Sequence, residues 1–544
     1  MSRMKYAIAF ALALVMALGA VGVASAAVPV DSSELRDAVT VEGILEHERE
    51  FQEFADANGD TRASGTPGYD ASADYVAGKL ESAGYSVTRQ VFDYPLFMEN
   101  SDPVLDPTDP DLPAYTPGDT PDDDFATMSY SGSGDVTAPL QAVGGIIIPP
   151  TGGSTSGCTA EDFAGFEAGN IALIQRGTCP FREKVENAEA AGAVGVVIFN
   201  EGNVVPDDDR VGNLFGTLDP PQVDIPVVGT SFAVGQELYD LLQDGPVTLR
   251  IAVDATVEQR TTENVIADTT TGRTDRTVVV GAHLDSVIEG PGINDNGSGS
   301  ATILEVAEEM SELGIQPRNR VRFAFWGAEE SGLIGSEDYV SQLSKREIKD
   351  IAVNLNFDMV GSPNYVRFVY DGDASDTDSL GSTGSGVVED VFNDYFASQD
   401  LASEPTAFDG RSDYDAFINV GIPAGGLFTG AEDIKTEREA GIYGGLAGVA
   451  YDPCYHQACD SLDPVSDGAD PATYTALNAA YEGALEVDGT ISNLNTLALD
   501  EMSDATAHGT LTFAQTTSAV TGTGQGSGTP GSSAAKYHGS LLQR

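Results

Sequence analysis

The stretch from Val278 to Glu330, VVVGAHLDSVIEGPGINDNGSGSATILEVAEEMSELGIQPRNRVRFAFWGAEE, constrains the fold more than any other part of the chain. Two runs of buried type, Val278–Val280 and Val321–Trp326, each stop at side chains able to ligate a metal. His283 and Asp285 follow the first run, and Glu329 and Glu330 follow the second. Between them lies a Gly/Asn/Asp loop holding Asp295, then an amphipathic helix pattern. Strand, loop, helix, strand, with the polar groups gathered at strand C-terminal ends, is how open α/β sheets arrange their sites. The stretch therefore predicts half of a two-metal hydrolytic centre.

The other half must come from later in the chain. Asp358 follows the apolar VNLNF, and His456 stands between Cys454 and Cys459. Imidazole and carboxylate are ligands that suit zinc, and a shared carboxylate can bridge two ions about 3.5–4 Å apart. His283, Asp295, Glu330, Asp358 and His456 make a complete set with Asp295 as the bridge. Singly, each has a plainer reading as a helix cap, a turn residue or a solvated carboxylate. Yet the chain has only five histidines, and two fall in these clusters.

The ends of the chain read differently. Arg3 and Lys5 precede an apolar run from Ala7 to Val23 and then Ala24-Ser25-Ala26, the form of a signal peptide cleaved after Ala26. No later run is long and apolar enough to span a bilayer, so the mature protein is expected to be secreted, soluble and free of membrane. Eighty-five acidic against 27 basic residues give a formal charge of −58, which excludes nucleic acid and anionic membrane as partners. Four cysteines in an exported chain are compatible with two disulfides, and proximity favours Cys158 with Cys179 and Cys454 with Cys459.

Along the chain, Ser33–Phe54 and Ala71–Ala83 have helical spacing, and Tyr85–Tyr94 alternates like a strand. Asn100–Asp135 turns to Pro, Asp, Ser and Gly, the composition of a linker. A separate α/β module follows: GGIIIP at Gly144–Pro149 and IALIQRG read as strands, Phe181–Ala191 as a helix, GVVIFN as the next strand, and IPVVG feeds another helix. RGTCPFREKVENAEAAGAVGVVIFN resembles the protease-associated domain, a small module inserted in exported peptidases, with no catalytic set of its own. Beyond Ser492 hydrophobicity thins into a Gly/Ser/Thr-rich tail. The expected division is residues 1–26 signal peptide, 31–130 N-terminal part of the peptidase domain with a linker, 138–254 insertion, 255–492 main peptidase part, and 493–544 flexible tail.

HLDS at His283–Ser286, GINDNGSG at Gly292–Gly299, GAEESGLIGS at Gly327–Ser336, NFDMVGSPN at Asn356–Asn364 and CYHQACD at Cys454–Asp460 together resemble the zinc aminopeptidases of peptidase family twenty-eight, of the exported actinobacterial type. RASGTPGYDASADYVAGKLESAGY, Arg62–Tyr85, resembles that family's N-terminal helix region. The resemblance implies a three-layer α/β/α sandwich around a mixed sheet. It implies two zinc ions, one held by His283 and Asp358, the other by Glu330 and His456, with Asp295 between them. Asp285 would orient His283, Glu329 would act as general base on a metal-activated water, and Tyr455 would donate to the oxyanion. Arg411, in FDGRSDYDAF, would contact the substrate backbone, and Phe428, in GLFTGAE, would line the pocket.

The activity implied is removal of N-terminal, apolar residues from peptides with a free N-terminus, by a monomer. Calcium is a further candidate cation, without assigned ligands. Related alternatives are a zinc carboxypeptidase, a glutaminyl cyclase of the same fold, and a receptor-like protein that has lost its metals. The first would want a basic specificity pocket, which Arg411 alone does not supply, and the last is disfavoured by the intact ligand set.

Overall fold

The computed structural model describes residues 30–521, apart from 110–111, 113, 119–122, 206–207 and 378. Every element below belongs to the unit that begins at Ser32. The expected signal peptide and the Gly/Ser-rich end beyond residue 521 lie outside the described residues.

The strand Arg273–His283 lies at the middle of the peptidase sheet, parallel to Asn319–Trp326 on one side and to Ile351–Phe357 on the other. Ala424–Phe428 continues the parallel order beyond Ile351–Phe357, and the short Phe368–Tyr370 runs antiparallel to it. Val278, Val279 and Val280 are fully buried, as expected of parallel strands covered on both faces. Val279, Ala324 and Trp326 pack against Tyr339, Val340 and Phe417, which come from helices Ile334–Ser341 and Tyr414–Asn419. The opposite layer holds the helices Val41–Ala57, Gly299–Glu312 and Thr496–Gln515, which touch one another. The three-layer α/β/α sandwich with a mixed sheet is therefore as the motifs imply.

The inserted module has its own parallel strands, Ile171–Gln175, Gly195–Phe199 and Val227–Thr230, with the helices Phe181–Ala190 and Phe232–Asp244 in its connections. Its core is separate, built on one side around Leu173, Val197 and Val228 and on the other around Ile174, Ile198 and Val227. The peptidase and the module share strands of one sheet. Ser86–Pro107, 22 residues long, pairs antiparallel with Thr248–Asp268, 21 residues long, from Ser86 opposite Asp268 to Pro107 opposite Leu249. One end of Thr248–Asp268 joins the peptidase sheet at Phe325 and the other joins the module at Gly134–Ala142, giving one continuous 13-stranded sheet.

Three local expectations fail. Asn100–Asp135 is not a linker throughout: the first long strand runs on to Pro107, Phe125–Thr127 forms an edge strand, and Gly134 begins another. Asn100, Ser101 and Asp102 are consecutive exposed polar residues at an irregularity in the strand pairing, which composition alone reads as loop. Gly144–Pro149 is a turn rather than a strand, with Gly145 at φ 87° and a Cβ there 2.6 Å from the Ser156 amide. Finally, residues 493–515 are not tail. Thr496–Gln515 is a 20-residue helix capped by Asn495, whose buried face mixes Leu499, Met502, Leu511 and Phe513 with small residues such as Ala498, Ala505 and Gly509. A Cβ at Gly509 would stand 2.7 Å from the Phe392 ring, so small size here serves close packing, although it lowers apparent hydrophobicity.

Candidate metal centre

Each predicted ligand stands at or just beyond the end of a sheet strand or on a loop folded over those ends. His283 is the last residue of Arg273–His283, Glu329 and Glu330 lie just past Asn319–Trp326, and Asp358 follows Ile351–Phe357. The loop between His283 and the helix Gly299–Glu312 brings Asp295 back over these ends. His456 is delivered from a distant part of the chain by a loop closed by the Cys454–Cys459 disulfide, and the second bridge joins Cys158 to Cys179, both as expected.

The five side chains converge. His283 Nε2 lies 3.2 Å from Asp358 Oδ1 and 3.2 Å from Asp295 Oδ1. His456 Nε2 lies 3.3 Å from Asp295 Oδ2 and 3.1 Å from Glu330 Oε2. Asp295 thus turns one oxygen to each imidazole and belongs to both groups of three that could hold an ion, His283–Asp295–Asp358 and Asp295–Glu330–His456. Ligand atoms this far apart match the edges of a tetrahedron with metal–ligand bonds of about 2.0–2.1 Å.

The charge at the site also calls for cations. Among the described residues, the ion pairs of Asp295, Asp358 and Glu330 are with imidazoles alone. Burial works against a charged His283, yet Asp358, Glu329, Asp285 and Asp295 hold its pKa well above the ordinary value. Burial pushes Glu330 up to about 7, opposed by His456, and leaves Glu330 Oε1 without a hydrogen-bond partner. Burial likewise opposes ionisation of Asp295, but hydrogen bonds from both histidines hold its pKa below the ordinary range. Three carboxylates paired, among the described residues, only with one buried imidazole, His283, and one partly exposed imidazole, His456, form a donor set that divalent ions fit, and its oxygen and nitrogen atoms suit zinc.

The supporting groups are ordered by the same loops. His283 Nδ1 faces the Asp285 carbonyl oxygen at 3.0 Å, and Asp285 Oδ1 accepts the Glu329 amide at 3.2 Å. Asp285 therefore steadies both a candidate ligand and the candidate base. The Glu329 carboxyl is buried and pushed well above its ordinary value by that burial. Tyr455 stacks on His456 at 3.8 Å between ring centroids, and its phenol oxygen accepts a hydrogen bond from Arg411 Nη2 at 3.2 Å. Arg411 is in turn paired with Glu432, Nη1 to Oε1 at 2.9 Å. Phe428 stacks on Phe368, and strand register sets it one residue past the Phe357–Leu427 pair, beside Asp358.

Two residues near the centre lie in the quoted motif FDGRSDYDAF but had no role assigned from it. Ser412 donates to Asp358 Oδ2 at 2.5 Å, and Asp413 is fully buried with its pKa raised by burial to about 7. Both follow Arg411 directly, so the polar run RSD was the available signal. Asp371, Asp373 and Glu389 bring carboxylates together elsewhere, but Asp371 already accepts the amides of Ser375, Asp376 and Thr377, which explains that cluster as a turn.

The model of peptidase family M28 matches residues 264–480, and that of the PA domain matches residues 136–238. An aminopeptidase of Pseudomonas aeruginosa (strain UCBPP-PA14) is 46% identical over 427 residues, covering 78% of this chain and 77% of that protein. The chain belongs to peptidase family M28. Within it, this M28 chain carries a PA domain between the first helices and the main part of the peptidase sheet. The probable leucine aminopeptidase 2 of Aspergillus oryzae is 39% identical over 448 residues, 81% of this chain and 84% of that one. Among solved structures, the aminopeptidase from Aneurinibacillus sp. strain AM-1 aligns over 88% of this M28 chain and 95% of its own, with a TM-score of 0.64 and 26% identity.

Proposed function

We propose that this M28 aminopeptidase is an exported two-zinc enzyme that removes apolar N-terminal residues from peptides. The observation that carries the reading is the division of Asp295 between two ligand groups, one oxygen toward His283 and the other toward His456. His283, Asp358, Glu330 and His456, with Asp295 shared, would hold the two ions, which would supply an acidified water and a polarised scissile carbonyl.

The chain's own residues supply the rest. Glu329, held at its amide by Asp285, takes the proton of the attacking water and returns it to the leaving amine. Tyr455 donates its hydroxyl hydrogen to the oxyanion, since its oxygen already accepts from Arg411. Glu329 and Asp358 hold the substrate's ammonium group, which restricts cleavage to the N-terminal bond. Arg411 meets the substrate backbone, and Phe428 contributes to an apolar pocket. The name of the Aspergillus relative, a leucine aminopeptidase, supports the apolar preference. Export is supported by two disulfides and by the N-terminal apolar run. Residues 31–99 and 255–515 are assigned to one peptidase domain and 100–254 to its insertion, with the junction crossing the long strand pair.

The test is a panel of aminoacyl amides and peptides, free or N-acetylated, assayed with and without chelator. Cleavage of free apolar substrates, lost on acetylation and on chelation, is expected. Undiminished cleavage of the acetylated peptides would overturn the aminopeptidase reading.

A further inference from the structure

The loop bearing Asp295 is fixed at two places by buried groups that are not among the candidate ion ligands. At its start, Arg62 is fully buried and donates to the carbonyl oxygens of Leu284, Pro291 and Gly292 at 2.5, 2.8 and 2.6 Å. At its centre, a single residue from the opposite side of the site takes over. The backbone oxygen of Asp460 accepts the Ile293 amide at 3.1 Å, its Oδ1 accepts the Asn294 amide at 2.8 Å, and its Oδ2 accepts the Asp295 amide at 2.9 Å.

Asp460 is the first residue after Cys459, so it also terminates the disulfide loop that presents His456. Asn493, fully buried, donates to Asp460 Oδ1 at 2.7 Å and to Asp452 Oδ1 and Oδ2 at 3.1 and 3.2 Å. Asp452 accepts the Cys454 amide at 2.8 Å at the other end of the same loop, and the Asn294 side-chain amide at 2.6 Å. The His456 loop and the Asp295 loop are therefore joined through this small cluster of side chains.

We propose that Asp460 is a positioning residue that sets the Asp295 carboxylate between the two ions and ties it to the loop carrying His456. The proposal rests on the two-ion reading above. A carboxylate suits the task because two consecutive amides converge on it and each needs an acceptor oxygen. An amide side chain in its place offers one oxygen and turns an NH2 group toward the other N–H, leaving a buried donor unpaired. Arg62 continues to hold the start of the loop, so the disturbance falls on Asp295 and His456. The ion between Asp295, Glu330 and His456 depends on both. The ion between His283, Asp358 and Asp295 keeps two ligands carried at strand ends.

The experiment is chelator competition on the purified full chain loaded with zinc, with released zinc read by a chromogenic indicator. The wild type is expected to release two ions. Asp460→Asn should release one of them at roughly 10–100-fold lower chelator concentration, the usual cost of losing a partner behind a ligand, while the other is retained as in the wild type. Asn493→Ser, which keeps both carboxylates but removes their shared donor, should show the same selective loss to a smaller degree, and serves if Asp460→Asn does not fold. Parallel weakening of both ions, or none, would overturn the assignment. A wild type that binds fewer than two ions would instead count against the two-ion reading itself.

Discussion

Arg411 donates a hydrogen bond to the phenol oxygen of Tyr455 at 3.2 Å, while Glu432 holds the same guanidinium. Because arginine has donors only, the Tyr455 oxygen must accept, and its own hydrogen is left to donate toward the metal centre. Tyr455→Phe keeps the ring stacked on His456 and removes only that donor. It should lower kcat by roughly a hundred- to a thousandfold, the scale of one oxyanion donor, with unchanged zinc content. Steady-state kinetics beside metal analysis checks this, and wild-type kcat in the variant would remove Tyr455 from the chemistry.

Glu329 lies next to a ligand but outside both ion-binding groups. Glu329→Gln should therefore keep both zinc ions while kcat falls by roughly 10²–10⁴-fold, the range for a positioned general base. Loss of zinc alongside activity would make Glu329 a ligand instead.

Buried carboxylates that rely on imidazolium partners are poorly satisfied without divalent ions. Chelation should abolish hydrolysis and lower the thermal midpoint, and added zinc should restore both, because an ion bound only by the folded state stabilises it. A midpoint indifferent to chelator would mean that the centre is balanced without metal.

His508, on the terminal helix, faces Ser32 Oγ through Nδ1 at 2.8 Å and stacks on Tyr395. Burial, helped by the nearby Arg36, lowers its pKa from 6.5 to about 4. The unfolded chain then binds more protons between these values, so stability is full above pH 6.5 and is lost as pH falls toward 4. His508→Gln should flatten this part of the stability curve relative to the wild type, measured by denaturant midpoints across the window. Curves that stay parallel through the window would show that His508 is not depressed in the fold.

The convergence of the candidate ligands was legible because they are local in sequence: they follow short apolar strands, and Gly/Asn loops mark the crossings. His456 and Asp358 could be recognised only together with the other motifs, since nothing in the sequence says that Cys454–Cys459 folds back over Asp295. Asp460 was within a quoted motif, but its role is carried by main-chain amides of a loop more than 160 residues away, which no side-chain pattern records. The terminal helix was missed for a different reason. Ala, Thr and Gly read as weakly hydrophobic, whereas in the fold their small size allows close contact with Phe392.

The long pair Ser86–Pro107 and Thr248–Asp268 also decides how this protein can be dissected. A module joined by linkers can be excised at its loops, but here both crossings are strands of one continuous sheet shared by the peptidase and the module. Cutting the insertion away at residues 138 and 254 would leave the Leu105–Ile251 and Val104–Ala252 pairings to be severed or exposed as raw edges. A trimmed peptidase would have to be closed with a tight hairpin nearer Tyr94 and Arg260, which face each other in the ladder just beside the peptidase body. Grafts that replace the insertion must bring two strands of matching register, not merely compatible ends.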